Sequence, residues 1–230
     1  MAKFDVIILG AGPSGISCAV RLSQLGKKVA IIERDFIGGI CINWGCTPSK
    51  AMIESAKMAK YVRGSGHYGI THKGMSIEFG RVAERRDSVI LQAREESTEL
   101  LQHHGVKIYQ GEGELLDSMT VRIHHGRLLI DVENMSYTGE KTDVMGDTLV
   151  LATGSAPLIP RGINEKDPSL VNSNRLITVR SLPESLTIIG GGVIGLEFAT
   201  IFSNLGSKVT VIECQDRLLS QLDPDISSEI

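Results

Sequence analysis

An α/β chain built on a duplicated strand, turn and helix unit is what these 230 residues specify. Three observations carry that reading. One order of apolar strand, glycine turn, helix and second strand occurs twice. A long segment between the copies has helical period, and short β-rich runs cluster between residues 106 and 154. With 42% hydrophobic residues against 22% charged, a chain of this length buries a core in one or two domains without a disulfide framework.

The duplication holds residue by residue. "DVIILGAGPSG" leads to "LGKKVAIIE", and "LTIIGGGVIG" leads to "LGSKVTVIE". Gly10, Gly12, Gly15, Leu25, Gly26, Lys28, Val29, Ile32 and Glu33 recur 180 positions later as Gly190, Gly192, Gly195, Leu205, Gly206, Lys208, Val209, Ile212 and Glu213. In each copy a β-branched run, Val6 to Leu9 or Thr187 to Ile189, predicts a buried parallel strand, and the glycines after it permit a turn that can approach a pyrophosphate closely. The next helix, from Pro13 to Leu25 or Val193 to Leu205, would aim its first residues at that phosphate: Pro13 and Ser14, or Val193 and Ile194. Gly26 and Gly206 supply left-handed caps.

The second strand of each copy ends in Glu33 or Glu213, 18 positions after the last glycine of its turn and placed to accept hydrogen bonds from a ribose hydroxyl. Either glycine pattern alone would be weak. The strand before, the helix after and the acid in both copies make it specific. The chain is therefore expected to hold two Rossmann-like dinucleotide-binding units, the first with a β-meander insertion and the second incomplete.

Between the copies, "FGRVAERRDSVILQAREESTELLQHHG" places Phe79, Val82, Ala83, Val89, Ile90, Ala93, Leu100 and Leu101 near helical period, predicting one long amphipathic helix ended by Gly105. "VKIYQ", "MTVRIHHGRLLIDV" and "DTLVLATG" predict strands, with a hairpin at His125 and Gly126. The Pro-rich, polar "SAPLIPRGINEKDPS" marks a boundary, giving domains 1–157 and 158–230. Only residues 214–230 follow Glu213, too few to finish a doubly wound sheet, and "DPDISSEI" reads as the capped start of a helix. The chain is expected to be the first part of a longer architecture.

A net charge of −3 and a pI near 6.1 provide no basic stripe, and 4% aromatic residues provide no stacking platform, so no nucleic-acid partner is expected. No apolar run approaches the roughly 18 residues of a membrane span. The N-terminus passes from a short strand straight into glycines without the parts of a signal peptide, so a cytoplasmic location is expected.

"CINWGC" sets Cys41 and Cys46 five positions apart in a chain with only Cys18 and Cys214 besides. A structural staple, a metal site and a redox pair are the three readings. In an ideal helix this spacing leaves Cα atoms more than about 8 Å apart, against roughly 4.4–6.8 Å for a disulfide, so a bond needs a distorted turn. Gly38, Gly39 and Gly45 allow one, and Pro48 suits the first turn of a helix that follows. Zinc normally wants four ligands, and no second cysteine pair or spaced histidine pair supplies them: His103 and His104 read as a helix end, His124 and His125 as a turn, and His67 and His72 as loop. No metal is expected, and a redox dithiol is the preferred reading. Nicotinamide moves hydride whereas thiols exchange through mixed disulfides, so two dinucleotides and a dithiol call for a mediator. Flavin is that mediator: FAD in the first unit, which the cysteines follow directly, and NAD in the second.

Four segments in this order, "GAGPSG", "GGICINWGCTPSK", "LVLATGSAP" and "IIGGGVIGLEFA", resemble those of the flavin-dependent pyridine nucleotide-disulphide oxidoreductases, nearest in pattern to the dihydrolipoamide dehydrogenase branch. The resemblance runs along essentially the whole chain. It implies that Cys41 is the interchange thiol facing substrate and that Cys46 lies against the flavin. Lys50 matches a lysine beside the flavin ring and Glu197 the glutamate paired with it near the nicotinamide. It further implies FAD contacts at Gly39, Arg34, Thr153, Gly154 and Ser155, and places Gly113 against the adenine half. A carboxylate at Glu213 favours NAD by repelling a 2′-phosphate, although Arg217 stands nearby. Thr47 stands where lipoamide enzymes usually carry an aliphatic residue, and resembles a threonine of mercuric-reductase-like relatives. The implied function is oxidation of a small or lipoyl-linked dithiol in a homodimer. The alternatives are another disulfide reductase of the family and a flavin-binding module without turnover.

Overall fold

The computed structural model describes residues 1–129, 134–160, 162–164 and 167–229. The expected strand end at Ile130, Asp131 and Val132, the boundary residues Arg161, Glu165 and Lys166, and Ile230 lie outside them. Two compact units result, Met1–Thr47 with Ile90–Leu158, and Pro48–Val89 with Ile159–Ile230.

The first unit contains β1 (Ala2–Leu9), α1 (Pro13–Gln24), β2 (Val29–Glu33), α2 (Gly39–Asn43) and the first residues of α3 (Cys46–Gly64). The later part of α4 (Phe79–His103) then leads into β3 (Lys107–Leu115), β4 (Thr120–Leu129) and β5 (Asn134–Leu151). β1 lies parallel between β2 and β5, and β2 pairs parallel with β3. β4 runs antiparallel between β3 and β5, which closes the five strands into a ring.

The meander is therefore not hung on the sheet but shares strands with it. β3 pairs with β2 through Lys107–Gln110 and with β4 from Gly111 onward. Gly111, at that crossover, has φ +151°, and a Cβ there would lie 2.4 Å from the His124 carbonyl oxygen. A side chain could not be accommodated at this point.

Alternation along β1 and β2 sorts the core into two layers. Val6, Ile8, Val29 and Ile31 pack with Ile16 and Ala19 of α1, with Leu101 of α4 and with Val106 just before β3. Ile7, Leu9, Ala30 and Ile32 face into the ring against Val121, Ile123 and Val144. At roughly 1.5–3 kcal/mol for each fully buried aliphatic side chain, these two layers supply the main stabilisation of the unit.

The expected hairpin at His125 and Gly126 does not form. β4 runs through both residues, and the pairing with β5 only shifts register between His124 and Gly126, a β-bulge. His124 and His125 side chains are tied across the sheet, to the Glu114 carboxylate and the Thr142 hydroxyl. A bulge absorbs the His-Gly pair without ending the strand.

The second unit contains the rest of α3, a 3₁₀ turn at Ser65–Tyr68, the start of α4, α5 (Ser173–Leu176), β6 (Ser185–Ile189), α6 (Val193–Leu205), β7 (Lys208–Ile212) and α7 (Pro224–Ser228). β6 and β7 pair parallel with Leu186 opposite Val209, the same register as Val6 opposite Val29. Phe198, Ile201, Phe202 and Leu205 of α6 pack on Met52, Ala56 and Ala59 of α3 and on Phe79. Buried Arg86 donates to the Ile177 carbonyl at 2.6 Å and the Val179 carbonyl at 3.1 Å. Asp223 stands at the start of α7, but its side chain makes no capping hydrogen bond.

Candidate functional site

Each glycine turn is shaped by its own main chain. Gly10 has φ +102°, and a Cβ on it would lie 2.2 Å from the Ala152 carbonyl oxygen, so the turn passes directly under the end of β5. A Cβ on Gly15 would sit 1.9 Å from the Gly10 oxygen, and one on Gly195 2.1 Å from the Gly190 oxygen. These glycines hold helix against strand. Gly12 and Gly192 differ: both take extended conformations that any residue could adopt, and a Cβ on Gly192 would meet nothing within 4 Å. They leave the mouth of the turn open.

α1 and α6 begin at these open glycines with no side-chain cap and no acidic residue in the first turn. Their leading N–H groups are thus not taken up by the chain's own anions, which suits a phosphate. Pro13, Ser14, Val193 and Ile194 are exposed at the two helix starts.

The paired acids close each turn from behind. Glu33, buried, accepts the main-chain N–H of Ala11 at 2.6 Å and that of Asp35 at 2.9 Å. Glu213 accepts those of Gly191 at 2.6 Å, Cys214 at 2.7 Å and Gln215 at 2.9 Å. These bonds, from Gln215 first and then Gly191, hold the Glu213 carboxyl at a pKa of about 2, well below the usual carboxylate range. A carboxylate has about four lone-pair sites; Glu33 uses two on these main-chain bonds and keeps acceptor capacity, whereas Glu213, which also accepts from the Cys214 thiol, is more fully engaged. Arg34, next in sequence to Glu33, is exposed. Arg217, near Glu213, donates to the carbonyls of Ser220 and Leu222 and so folds its own loop.

The cysteine segment leans on the first turn. The Gly38 N–H donates to the Ala11 carbonyl at 2.7 Å, and a Cβ on Gly39 would lie 2.7 Å from the Gly12 Cα. Gly38 and Gly39 have φ of +104° and +55°, which favour glycine. Cys41 sits in α2, which ends at Asn43; Trp44 leaves helical geometry at φ −135°, and Cys46 begins α3. The two cysteines thus stand on separate helices across a break, with the Trp44 N–H closing onto the Ile40 carbonyl at 2.8 Å. Gly45 fills the break: a Cβ there would come within 3.6 Å of the Cys41 Cα.

Asn43 is a residue that the motif reading passed over. Its side chain is only 1% exposed. The amide nitrogen faces the carbonyls of Gly39, Ile37 and Phe36, and the amide oxygen accepts from Arg94 Nε. Burial at this spacing has no local sequence signal. Gln110, though exposed, also ties distant main chain, donating to the carbonyls of Glu33 at the end of β2 and of Asp35 just beyond it.

The remaining predicted residues fall in two places. In the first unit, Thr153, Gly154 and Ser155 are exposed just past the end of β5, Gly154 with φ +71°. Gly113 lies in β3, where a Cβ would lie 2.6 Å from Leu9 Cδ2 and 3.3 Å from Val121 Cγ1, so its smallness is also a requirement of the core. In the second unit, Lys50 Nζ forms an ion pair with the Glu197 carboxylate, on α3 and α6. Cys18 packs against the first core layer, and Cys214 is exposed. Among the described residues, no group of three or more His, Cys, Asp or Glu side chains is disposed to hold a metal ion, and no helix is long and apolar enough to cross a membrane.

Comparison with known proteins gives consistent results. The family model described as pyridine nucleotide-disulphide oxidoreductase matches residues 4–230. A dihydrolipoyl dehydrogenase of Acholeplasma laidlawii is 35% identical over 97% of this chain and 63% of its own length. One from Bacillus subtilis is 34% identical over 99% of this chain and 48% of its own. A solved structure, the Cu(II) complex of the HOCl-induced flavoprotein disulfide reductase RclA from Escherichia coli, superposes with a TM-score of 0.81 at 28% identity, covering 99% of this chain and 46% of that one. The chain thus spans about half to two thirds of the length of these relatives.

Proposed function

This chain belongs to the pyridine nucleotide-disulphide oxidoreductase family, and on that premise we propose that it is the FAD-holding part of an NAD-linked dithiol/disulfide oxidoreductase acting on a small or lipoyl-linked dithiol. The observation that carries the reading is the main-chain contact of Gly38 and Gly39 with Ala11 and Gly12. It joins the segment bearing Cys41 to the turn suited to a dinucleotide.

FAD fits the first unit on its geometry: an open Gly12, a helix start free of side-chain anions, and a carboxylate with acceptor capacity left behind the turn. Gly10, Gly12, Pro13, Ser14, Gly15 and Glu33 would hold its pyrophosphate and ribose. Arg34, Gly39 and Gly113, with Thr153, Gly154 and Ser155, would line the rest. When bound, flavin supplies the exchange of an electron pair with thiols and of a hydride with nicotinamide.

The chain's own chemistry is thiol exchange. A substrate thiolate attacks the Cys41 sulphur of a Cys41–Cys46 disulfide, forming a mixed disulfide and releasing Cys46 as thiolate. The second substrate thiol then displaces Cys41; substrate is oxidised to its disulfide and the cysteine pair is reduced. In the second unit, Gly190, Gly192, Val193, Ile194, Gly195 and Glu213 would hold NAD, with the Lys50–Glu197 ion pair as the charged element near its nicotinamide. NAD rather than NADP is favoured by the ionised Glu213 and by the engagement of Arg217 with its own loop. The working assembly is proposed to be a homodimer without nucleic-acid or membrane partners.

Purified protein reconstituted with FAD tests this. A yellow flavin spectrum with a long-wavelength charge-transfer band after two-electron reduction, lost in Cys46→Ser, is the expected result. Bound flavin with no thiol response would leave only a flavin-binding module.

A further inference from the structure

We infer that Asn43, held by Arg94, is a positioning residue for the Cys41–Cys46 pair, an inference that rests on the dithiol reading above. α2 is five residues long, a single turn that cannot hold itself in water. It is entered through Gly38 and its own first residue Gly39, both with positive φ, and ends at the non-helical Trp44. Something outside local propensity must set where Cys41 stands.

Asn43 does so from within. Its amide nitrogen lies 2.8 Å from the Gly39 carbonyl, 3.2 Å from that of Ile37 and 3.3 Å from that of Phe36. One buried amide thus gathers the loop that enters the cysteine helix. That same loop donates Gly38 N–H to Ala11 and sets Gly39 against Gly12. Asn43 therefore fixes the cysteine helix to the glycine turn and not merely to itself.

Arg94 fixes Asn43 in turn. Its Nε donates to the Asn43 amide oxygen, which settles the amide's orientation so that the NH₂ faces the three carbonyls. The guanidinium lies over the Phe36 ring at 3.5 Å from the centroid, a cation–π contact with the first residue of the gathered loop. Lysine offers neither the fork nor the flat stacking face. Reach from the middle of the long α4 to this loop is a tertiary juxtaposition, fifty-one positions apart.

Loosening the loop lowers the effective concentration of one thiol at the other, so the disulfide should form less readily. In the full chain, Asn43→Ala should lower the equilibrium constant for forming the Cys41–Cys46 disulfide against a glutathione buffer by about tenfold, and Arg94→Lys by about threefold. Arg94→Lys should add little in the Asn43→Ala background, because the two act as a unit. Disulfide content is read by mass spectrometry at a temperature where thermal melts show each variant folded. A lowered melting temperature with the equilibrium constant unchanged within twofold would make Asn43 a structural residue only and overturn the inference. If Asn43→Ala does not fold, Arg94→Lys decides alone: a threefold fall supports positioning and an unchanged constant refutes it. Failure of the unsubstituted protein to form a Cys41–Cys46 disulfide at all would instead remove the dithiol reading on which this rests.

Discussion

Glu33 accepts the main-chain N–H of Ala11 at 2.6 Å, joining the end of β2 to the second residue of the glycine turn. Glu213 makes the same bond to Gly191 at the same distance in the second unit. In both copies the acid read as a ribose acceptor is also the clasp of the turn.

Removing the clasp from the first unit should therefore cost stability before any ligand is added. Glu33→Ala leaves the buried N–H of Ala11 without its acceptor, a loss of about 1–3 kcal/mol. Urea denaturation of the FAD-free protein should show a lower midpoint at unchanged slope. An unaltered midpoint would mean that the clasp contributes nothing.

The second clasp predicts a pH dependence. The folded-state pKa of Glu213, about 2, lies below its ordinary value of 4.5. A depressed carboxyl contributes stability above the unfolded value, and that contribution is lost as pH falls from about 4.5 toward 2. The contribution is screened, since the group is solvent-accessible. Melts between pH 6 and 3 should show the protein weakening more steeply than Glu213→Gln does.

Glycines of the two turns should separate into two kinds. Gly15→Ala drives a Cβ into the Gly10 carbonyl oxygen and should destabilise by about 3 kcal/mol. Gly192→Ala meets nothing within 4 Å and should leave the melting temperature almost unchanged. Titration with NAD should nevertheless show weakened binding in Gly192→Ala, because the new methyl occupies the mouth of the turn. Full NAD affinity in that variant would argue against the second unit as a nucleotide site.

Lys50 and Glu197 form a half-exposed ion pair, with side chains 59% and 26% accessible. Such a pair contributes about 0–1 kcal/mol to stability. Lys50→Gln should fold normally, yet slow reduction of bound flavin by NADH if the pair stands near the nicotinamide. Stopped-flow traces at matched flavin content distinguish the two effects.

Much of this is legible in the sequence. The 180-residue offset located both turns, both helices and both clasping acids, because turn glycines and an acid at a strand end leave marks at definite spacings. The long α4 followed from its period, and Gly38, Gly39 and Gly45 allowed the distorted turn that separates Cys41 from Cys46. His125 and Gly126 misled, since a histidine-glycine pair resembles a turn while a bulge carries the strand onward. Asn43, Arg94 and Gln110 were invisible, because side chains that satisfy distant carbonyls follow no period.

By itself, then, the sequence determined which local units exist and what each could hold, since helix period, strand alternation and turn glycines are properties of neighbouring residues. Only the tertiary structure decided that β3 and β5 are shared between sheet and meander, that Gly39 rests on Gly12, and that Arg94 reaches Asn43. Those relations depend on where chain segments far apart in order come to lie, and burial and hydrogen-bond satisfaction choose among the arrangements that local preference leaves open.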